Sequence, residues 1–192
     1  MKLAIFGGTF DPIHEAHLAV AREAAGRFGL DRVLFIPAAH PPHKTGATQA
    51  PYVDRLRMTE LACECDPRFE ASPLEAGTVR SYSIDTIEKL RAGLTAGDEL
   101  FFIIGADAFS EIRTWHRWRD VARAVRFAVV SRPSHVYDVP PEVSLDRLDT
   151  VEMTVSSSAI RAALARGDRP ASVPPRVLEY ILSHHLYAPQ VR

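Results

Sequence analysis

The sequence predicts an α/β protein, a doubly wound parallel sheet with helices on both faces. Short and almost uninterrupted apolar runs alternate with longer amphipathic ones along the 192 residues. Strands that are buried on both faces give apolar runs of this kind. Glycine or proline follows several of the runs, as expected where a buried strand ends in a turn. The length fits one compact domain with a sizeable core.

The elements follow in order from these patterns. The apolar runs predict strands at Leu3–Phe6, Val33–Ile36, Phe69–Leu74 (weak), Leu100–Ile104, Phe127–Val130 and, as a candidate last strand, Asp149–Val155. The amphipathic runs predict helices at Glu15–Phe28 (stopped near Gly29), Asp54–Cys65, Ser83–Arg91, Arg119–Val125, Ser158–Arg166 and Pro175–His184. This alternation indicates a Rossmann-like sheet. We expect a single domain over residues 1–192, with the helices from about residue 156 packed as a small subdomain.

Composition excludes several classes of function. A net charge of −1 indicates neither a nucleic-acid nor a membrane partner. There is no apolar signal core and no apolar window long enough to span a bilayer, so we expect a cytoplasmic protein. Cys63 and Cys65 do not have metal-ligand spacing, and we expect reduced thiols and no protein metal site.

Ligands bind beyond the carboxyl ends of the strands in sheets of this kind. The segments that follow four predicted strands are polar or rich in glycine and proline, and begin GGTFDP, PAAHPPHK, GADAF and SRPS. We therefore expect these segments to line one site.

The segment Gly7–His17, GGTFDPIHEAH, predicts a phosphate site. Paired glycines after a strand let a phosphate approach the backbone closely, and Thr9 offers a hydroxyl and an N–H group. His14 and His17 lie on one face of the first helical turn, where imidazoles can bind an anion. The segment is neither a Walker loop nor a dinucleotide GxGxxG motif.

This string resembles the nucleotidyltransferase superfamily that carries an HxGH motif. The resemblance implies that the turn at Gly7, Gly8, Thr9 and Phe10 and both histidines hold the phosphates of ATP. The chain has Ala16 where the family usually has glycine. We expect the added methyl group to alter ATP affinity without abolishing activity.

A second anion site is predicted at Val155–Arg161, VSSSAIR. Ser157 or Ser158 is expected to cap the following helix, whose free N–H groups and Arg161 would face the same end. The string resembles the ISSTxIR motif of the same superfamily, which implies that Ser157, Ser158 and Arg161 contact ATP phosphates.

The remaining motifs are similar to those of bacterial nicotinate mononucleotide adenylyltransferases. They are PPHK, SYSxDT, GADxF followed by WxxW, SRP and a C-terminal VLEYI…LY. The resemblance implies that the mononucleotide contacts Lys44, Tyr82, Ser83, Asp107 and Trp115, with the backbone at Tyr82–Ser83 receiving the carboxylate and Trp115 stacking on the ring. It also implies ATP contacts at Gly105, Asp107 and Arg132.

The implied reaction joins ATP and nicotinate mononucleotide to give the deamido dinucleotide and pyrophosphate. His14, His17, Lys44 and Arg161 are the expected catalytic groups, which neutralise charge without a general base. Mg²⁺ is expected to be held mainly by the phosphates. Phosphopantetheine, nicotinamide mononucleotide or cytidylyl chemistry and a non-catalytic nucleotide-binding regulator remain alternatives, and a homo-oligomer is left open.

Overall fold

One parallel sheet organises the part of the chain that the computed structural model describes, which is residues 1–40, 48–77, 82–131, 137–148 and 155–188. Its strands are β1 (Lys2–Gly8), β2 (Arg32–Pro37), β3 (Phe69–Ala71), β4 (Glu99–Gly105), β5 (Arg126–Val130) and β6 (Leu145–Leu148). The order across the sheet is β3-β2-β1-β4-β5-β6, and all neighbouring pairs are parallel. This is the doubly wound order, so the predicted fold class is confirmed.

Helices follow most of the strands. They are α1 (Glu15–Phe28), α2 (Tyr52–Cys63), α3 (Ser83–Arg91), α4 (Ala106–Ser110), α5 (Trp118–Ala124), α6 (Ser157–Ala165) and α7 (Pro175–Ser183), with one 3₁₀ turn at Ile112–Thr114. Helices α1 and α3 have the predicted bounds. Gly29 ends α1 in the left-handed conformation with φ 63°, as a glycine after a helix commonly does. The short helix α4 was not predicted.

The core lies on both faces of the sheet. Successive strand residues point to opposite faces, so Ala4 and Phe6 of β1 join one buried cluster while Leu3 and Ile5 join the other. The first cluster includes residues of α1, α2, α6 and α7, and the second includes residues of α3 and α5. The separate subdomain expected for the C-terminal helices stays a prediction.

The predicted last strand is in the wrong place. Strand β6 occupies Leu145–Leu148, parallel to β5, whereas the prediction was Asp149–Val155. Residues 149–154 lie outside the described residues, and Val155 is not in a strand. The sequence LDRL of β6 is polar at its centre because the strand is only partly buried, and its Asp146 accepts a hydrogen bond from Arg126 Nη2 at 3.1 Å. The predicted strand at Phe69–Leu74 is also shorter, since β3 ends at Ala71.

The strand order reverses between β1 and β4. The chain winds outward from this pair in both directions, and the carboxyl ends of β1 and β4 open a crevice where such sheets bind ligands. Within the described ranges, no helix is both long and apolar enough to cross a membrane.

Candidate active site

The turn after β1 is built around a buried phenylalanine. Phe10 has φ 48°, in the left-handed region that residues with a Cβ seldom occupy. Its ring is 2 % exposed and packs edge-on against Phe6, with the ring centroids 5.7 Å apart. A Cβ at Gly8 would lie 2.9 Å from two ring carbons of Phe10. Glycine is therefore required at this position for the turn to close over the ring.

His14 and His17 lie side by side at the start of α1, as predicted. Their rings stack with centroids 3.7 Å apart and an interplanar angle of 25°. The backbone N–H of His14, the residue before the helix, donates to Nδ1 of His17 at 3.2 Å. Because Nδ1 of His17 accepts this bond, a neutral His17 ring carries its proton on Nε2 and can donate from there. Ala16, next to His17, is half-buried.

His14 carries no charge at neutral pH in the free protein. Its side chain is 2 % exposed, and burial lowers the pKa of His14 to about 4, since removal from water disfavours the charged form. Its Nδ1 is buried and has no hydrogen-bond partner among the described residues. Before a ligand binds, His14 is thus a neutral ring.

The second motif meets the first at the amino end of α6. Ser157 Oγ donates to the carbonyl oxygen of Pro12 at 3.1 Å, and Arg161 Nη1 donates to that of Asp11 at 2.8 Å. Nε of Arg161 is buried without a hydrogen-bond partner in the described part of the chain. The fold therefore brings together two predicted anion sites that lie far apart in the sequence.

The cap of α6 was assigned to the wrong serine. Ser156 is the N-cap, and its Oγ accepts from the backbone N–H of Ala159 at 3.2 Å. Ser157 is the first helical residue, and Ser158 is exposed with its Oγ 3.4 Å from Nη2 of Arg161. Three consecutive serines gave no local pattern that distinguishes them, and the cap goes to the one with extended backbone.

A cavity of about 230 Å³ opens beside the glycine turn. It is lined by residues of β1, β2, β4 and α3, of the turn after β1 and of the segments after β2, β3 and β4: Ile5, Gly7, Gly8, Thr9, Ile36, Ala38, Glu75, Ser83, Thr86, Phe102, Ile104, Ala108 and Trp115. Trp115 is half-buried, and its ring packs edge-on against Phe102 with centroids 5.9 Å apart. Ser83 and Trp115, predicted to contact one mononucleotide, do line one cavity.

The structure also gives the surroundings of three more residues that were predicted for the site. Tyr82 precedes α3, and its ring contacts that of His116 with centroids 4.6 Å apart. Gly105 ends β4 and Asp107 lies in the first turn of α4, both exposed at the carboxyl edge of the sheet. Lys44 and Arg132 lie outside the described residues.

Two buried charged residues at the site were missed by the sequence analysis. Arg55 of α2 is 1 % exposed and reaches backbone carbonyls of the turn. Glu75, 9 % exposed, lines the cavity and accepts from Thr86 Oγ1 at 3.1 Å. Neither lies in a recognisable motif, and a charged residue is ordinarily expected at the surface.

The two motifs meet beside a cavity at the crevice of a doubly wound sheet, and the chain also matches a known family. The model of the family described as cytidylyltransferase-like matches residues 5–163. The chain is thus a nucleotidyltransferase of the cytidylyltransferase-like class.

Individual relatives narrow this class. A Solibacter usitatus protein named "Probable nicotinate-nucleotide adenylyltransferase" is 70 % identical over 97 % of this chain and 100 % of its own length. A Thermus thermophilus protein of the same name is 41 % identical over 97 % of this chain and 100 % of its own. The chain belongs to the nicotinate-nucleotide adenylyltransferase family. The Plasmodium falciparum nicotinic acid mononucleotide adenylyltransferase, solved with NaAD, shares the fold with a TM-score of 0.75 at 18 % identity over 97 % of both chains.

Proposed function

We propose that this chain transfers the adenylyl group of ATP to nicotinate mononucleotide at the crevice between β1 and β4. The observation that carries the proposal is the meeting of the two anion motifs beside the cavity lined by Ser83 and Trp115. The names of relatives that match nearly the whole chain support the same reaction.

In this reaction, an oxygen of the mononucleotide phosphate attacks the α-phosphorus of ATP. The new P–O bond forms as the bond between the α-phosphorus and the bridging oxygen breaks, and pyrophosphate leaves with the electron pair. The nucleophile is already ionised at neutral pH, so no general base is needed. Catalysis consists of positioning the two phosphates and stabilising the charge on the leaving group.

The phosphates of ATP bind at the turn, where Gly7, Gly8, Thr9 and Phe10 supply backbone groups. Two buried nitrogen atoms without hydrogen-bond partners in the described ranges, Nδ1 of His14 and Nε of Arg161, are available to phosphate oxygens. Leaving such atoms unpaired costs free energy that a ligand can recover.

The histidines act first as hydrogen-bond donors. An anionic phosphate beside His14 would raise its pKa again and favour the protonated ring. His17 donates from Nε2, since its Nδ1 already accepts from the backbone. Ser157, Ser158 and Arg161 add donors from the amino end of α6.

The mononucleotide occupies the cavity. Backbone groups at Tyr82–Ser83 receive the nicotinate carboxylate, and the indole of Trp115 stacks on the pyridine ring. Gly105 and Asp107 are exposed at the carboxyl edge of the sheet, where the carboxylate of Asp107 can accept hydrogen bonds from ribose hydroxyls.

Lys44 and Arg132 are proposed to contact the phosphates as well, and the support for these two contacts is the sequence motifs. Both follow the carboxyl ends of strands, Lys44 after β2 and Arg132 after β5. Neutralising cations are the groups that phosphoryl chemistry requires at such positions.

Mg²⁺ would shield the phosphates of ATP. In the described part of the chain, no group of three His, Cys, Asp or Glu side chains could hold a metal ion. An ion held mainly by ATP takes its ligands from phosphate oxygens and water. We further propose a cytoplasmic location; a homo-oligomer stays a prediction from sequence.

Pyrophosphate release from ATP tests the proposal with three separate acceptors: nicotinate mononucleotide, its amide and phosphopantetheine. The highest kcat/KM is expected with nicotinate mononucleotide. Faster release with either other acceptor would assign the chain to a sister activity, and no release with any acceptor would favour a nucleotide-binding regulator. His17→Ala should lower turnover by about a hundredfold or more while its melting temperature stays close to that of the wild type.

A further inference from the structure

Arg55 is a buried cation at the base of the phosphate turn. Its guanidinium is bonded to backbone oxygens of three separate segments. Nη1 donates to Thr9 O at 2.7 Å and to Ala38 O at 2.8 Å, and Nε donates to Ala50 O at 3.3 Å. The residue therefore ties the turn after β1 to the segment after β2 and to the segment that precedes α2.

Asp11 provides the matching negative charge. Its carboxylate accepts from the backbone N–H groups of Gln49 and Ala50, at 2.9 and 3.1 Å, and from the hydroxyl of Tyr187 at 2.6 Å. Burial lowers the pKa of Arg55, and the nearby carboxylate of Asp11 opposes this change. An arginine remains protonated in either case, so Arg55 places a positive charge at the base of the turn.

The bond to Thr9 fixes the orientation of one peptide group. In a planar trans peptide the carbonyl and the following N–H point in opposite directions. With Thr9 O held by Arg55, the N–H of Phe10 is turned away from the guanidinium. The left-handed backbone of Phe10 is less favourable for a residue with a Cβ, and this bond helps to hold it.

The hydrogen bond from Arg55 to the carbonyl oxygen of Ala38 also fixes part of the cavity wall. The backbone N–H of Ala38 donates to Gly8 O at 2.8 Å, while its own carbonyl accepts from Arg55. Thr9 and Ala38 both line the cavity. The guanidinium therefore sets the relative position of the phosphate turn and the cavity wall without lining the cavity itself.

We infer that Arg55 is a positioning residue for adenylyl transfer: it orients the Thr9–Phe10 peptide and holds the turn against Ala38. The inference rests on the proposed function. Replacement of a group that only stabilises the fold would change the free energy of unfolding and leave the kcat of the folded protein unchanged. Loss of a positioning group lowers kcat as well, because a displacement of about 1 Å can lower the rate about a hundredfold.

The test compares Arg55→Lys and Arg55→Met with Arg57→Met. Arg57 lies on the same helix, is exposed and pairs with Glu60 at 2.8 Å, so its loss should leave turnover unchanged. Lysine keeps the charge but cannot span three carbonyls in a fixed fork. We expect kcat to fall about tenfold in Arg55→Lys and about a hundredfold in Arg55→Met, in assays run well below each melting temperature.

Wild-type activity separates this inference from the proposed function. If the wild type forms no dinucleotide, the proposed function fails and the positioning role fails with it. If the wild type is active and a folded Arg55→Lys or Arg55→Met variant retains wild-type kcat, only the positioning role is overturned. Failure of both variants to fold would assign Arg55 to stability alone and would also overturn it.

Discussion

Replacement of His14 by asparagine should flatten the pH dependence of folding stability. In the folded chain, burial lowers the pKa of His14 to about 4 from an ordinary value of 6.5. Between these values the unfolded chain binds more protons at this position than the folded chain does. Stability therefore falls as the pH drops below about 6.5 and levels off below about 4.

The two pKa values set the size of this effect. Between pH 7 and pH 5, linkage through this one ring removes about 2 kcal/mol from the free energy of unfolding, and the loss reaches about 3 kcal/mol near pH 4. His14→Asn removes the titrating group and keeps a residue suited to the position before a helix. Any constant change in stability that the asparagine introduces cancels when slopes against pH are compared.

Urea unfolding between pH 7 and pH 5 measures the slopes. The wild type should lose about 2 kcal/mol more than His14→Asn over this range. His185→Asn is the matched control, because His185 is exposed and its left-handed backbone, with φ 53°, suits asparagine. Equal slopes for the wild type and His14→Asn would refute the claim that the free protein holds His14 uncharged.

Four further substitutions test the glycine turn, the cap of α6 and the start of α1. Gly8→Ala should lower the melting temperature by several degrees, since the methyl group would lie 2.9 Å from the Phe10 ring and overpacking costs about 1–3 kcal/mol. An unchanged melting temperature would contradict the packing of Gly8 against this ring. Ser156→Ala should cost about 1 kcal/mol in urea unfolding, whereas Ser158→Ala should cost little, and equal losses would argue against the assigned cap. Ala16→Gly should lower the KM for ATP if the methyl group crowds the nucleotide, and an unchanged KM would exclude crowding.

Sequence alone predicted the sheet because its strands are buried on both faces. Continuous apolar runs such as LFFII have no other common explanation when turns and amphipathic helices separate them. Strand β6 was not predicted at its actual position because only Leu148, at its end, is fully buried. An edge strand with a polar centre resembles a loop in a single sequence.

The residues of the site likewise fall into two groups, those that local motifs predict and those that only the fold reveals. The glycine turn, both histidines and Arg161 carry local motifs, and the fold brings them together. Arg55 has no motif, since its function depends on carbonyls of Thr9, Ala38 and Ala50 that only the fold assembles. The neutral state of His14 could not be predicted from the sequence either, because burial and not the motif determines its pKa.

The fate of the α-phosphate of ATP tests the central claim most directly. With nicotinate mononucleotide and ATP labelled at the α-phosphorus, the label should appear in the dinucleotide while unlabelled pyrophosphate is released. The His17→Ala variant should form the same product about a hundredfold more slowly or worse. Label recovered in free AMP, in ADP or only in unreacted ATP would contradict adenylyl transfer by this site.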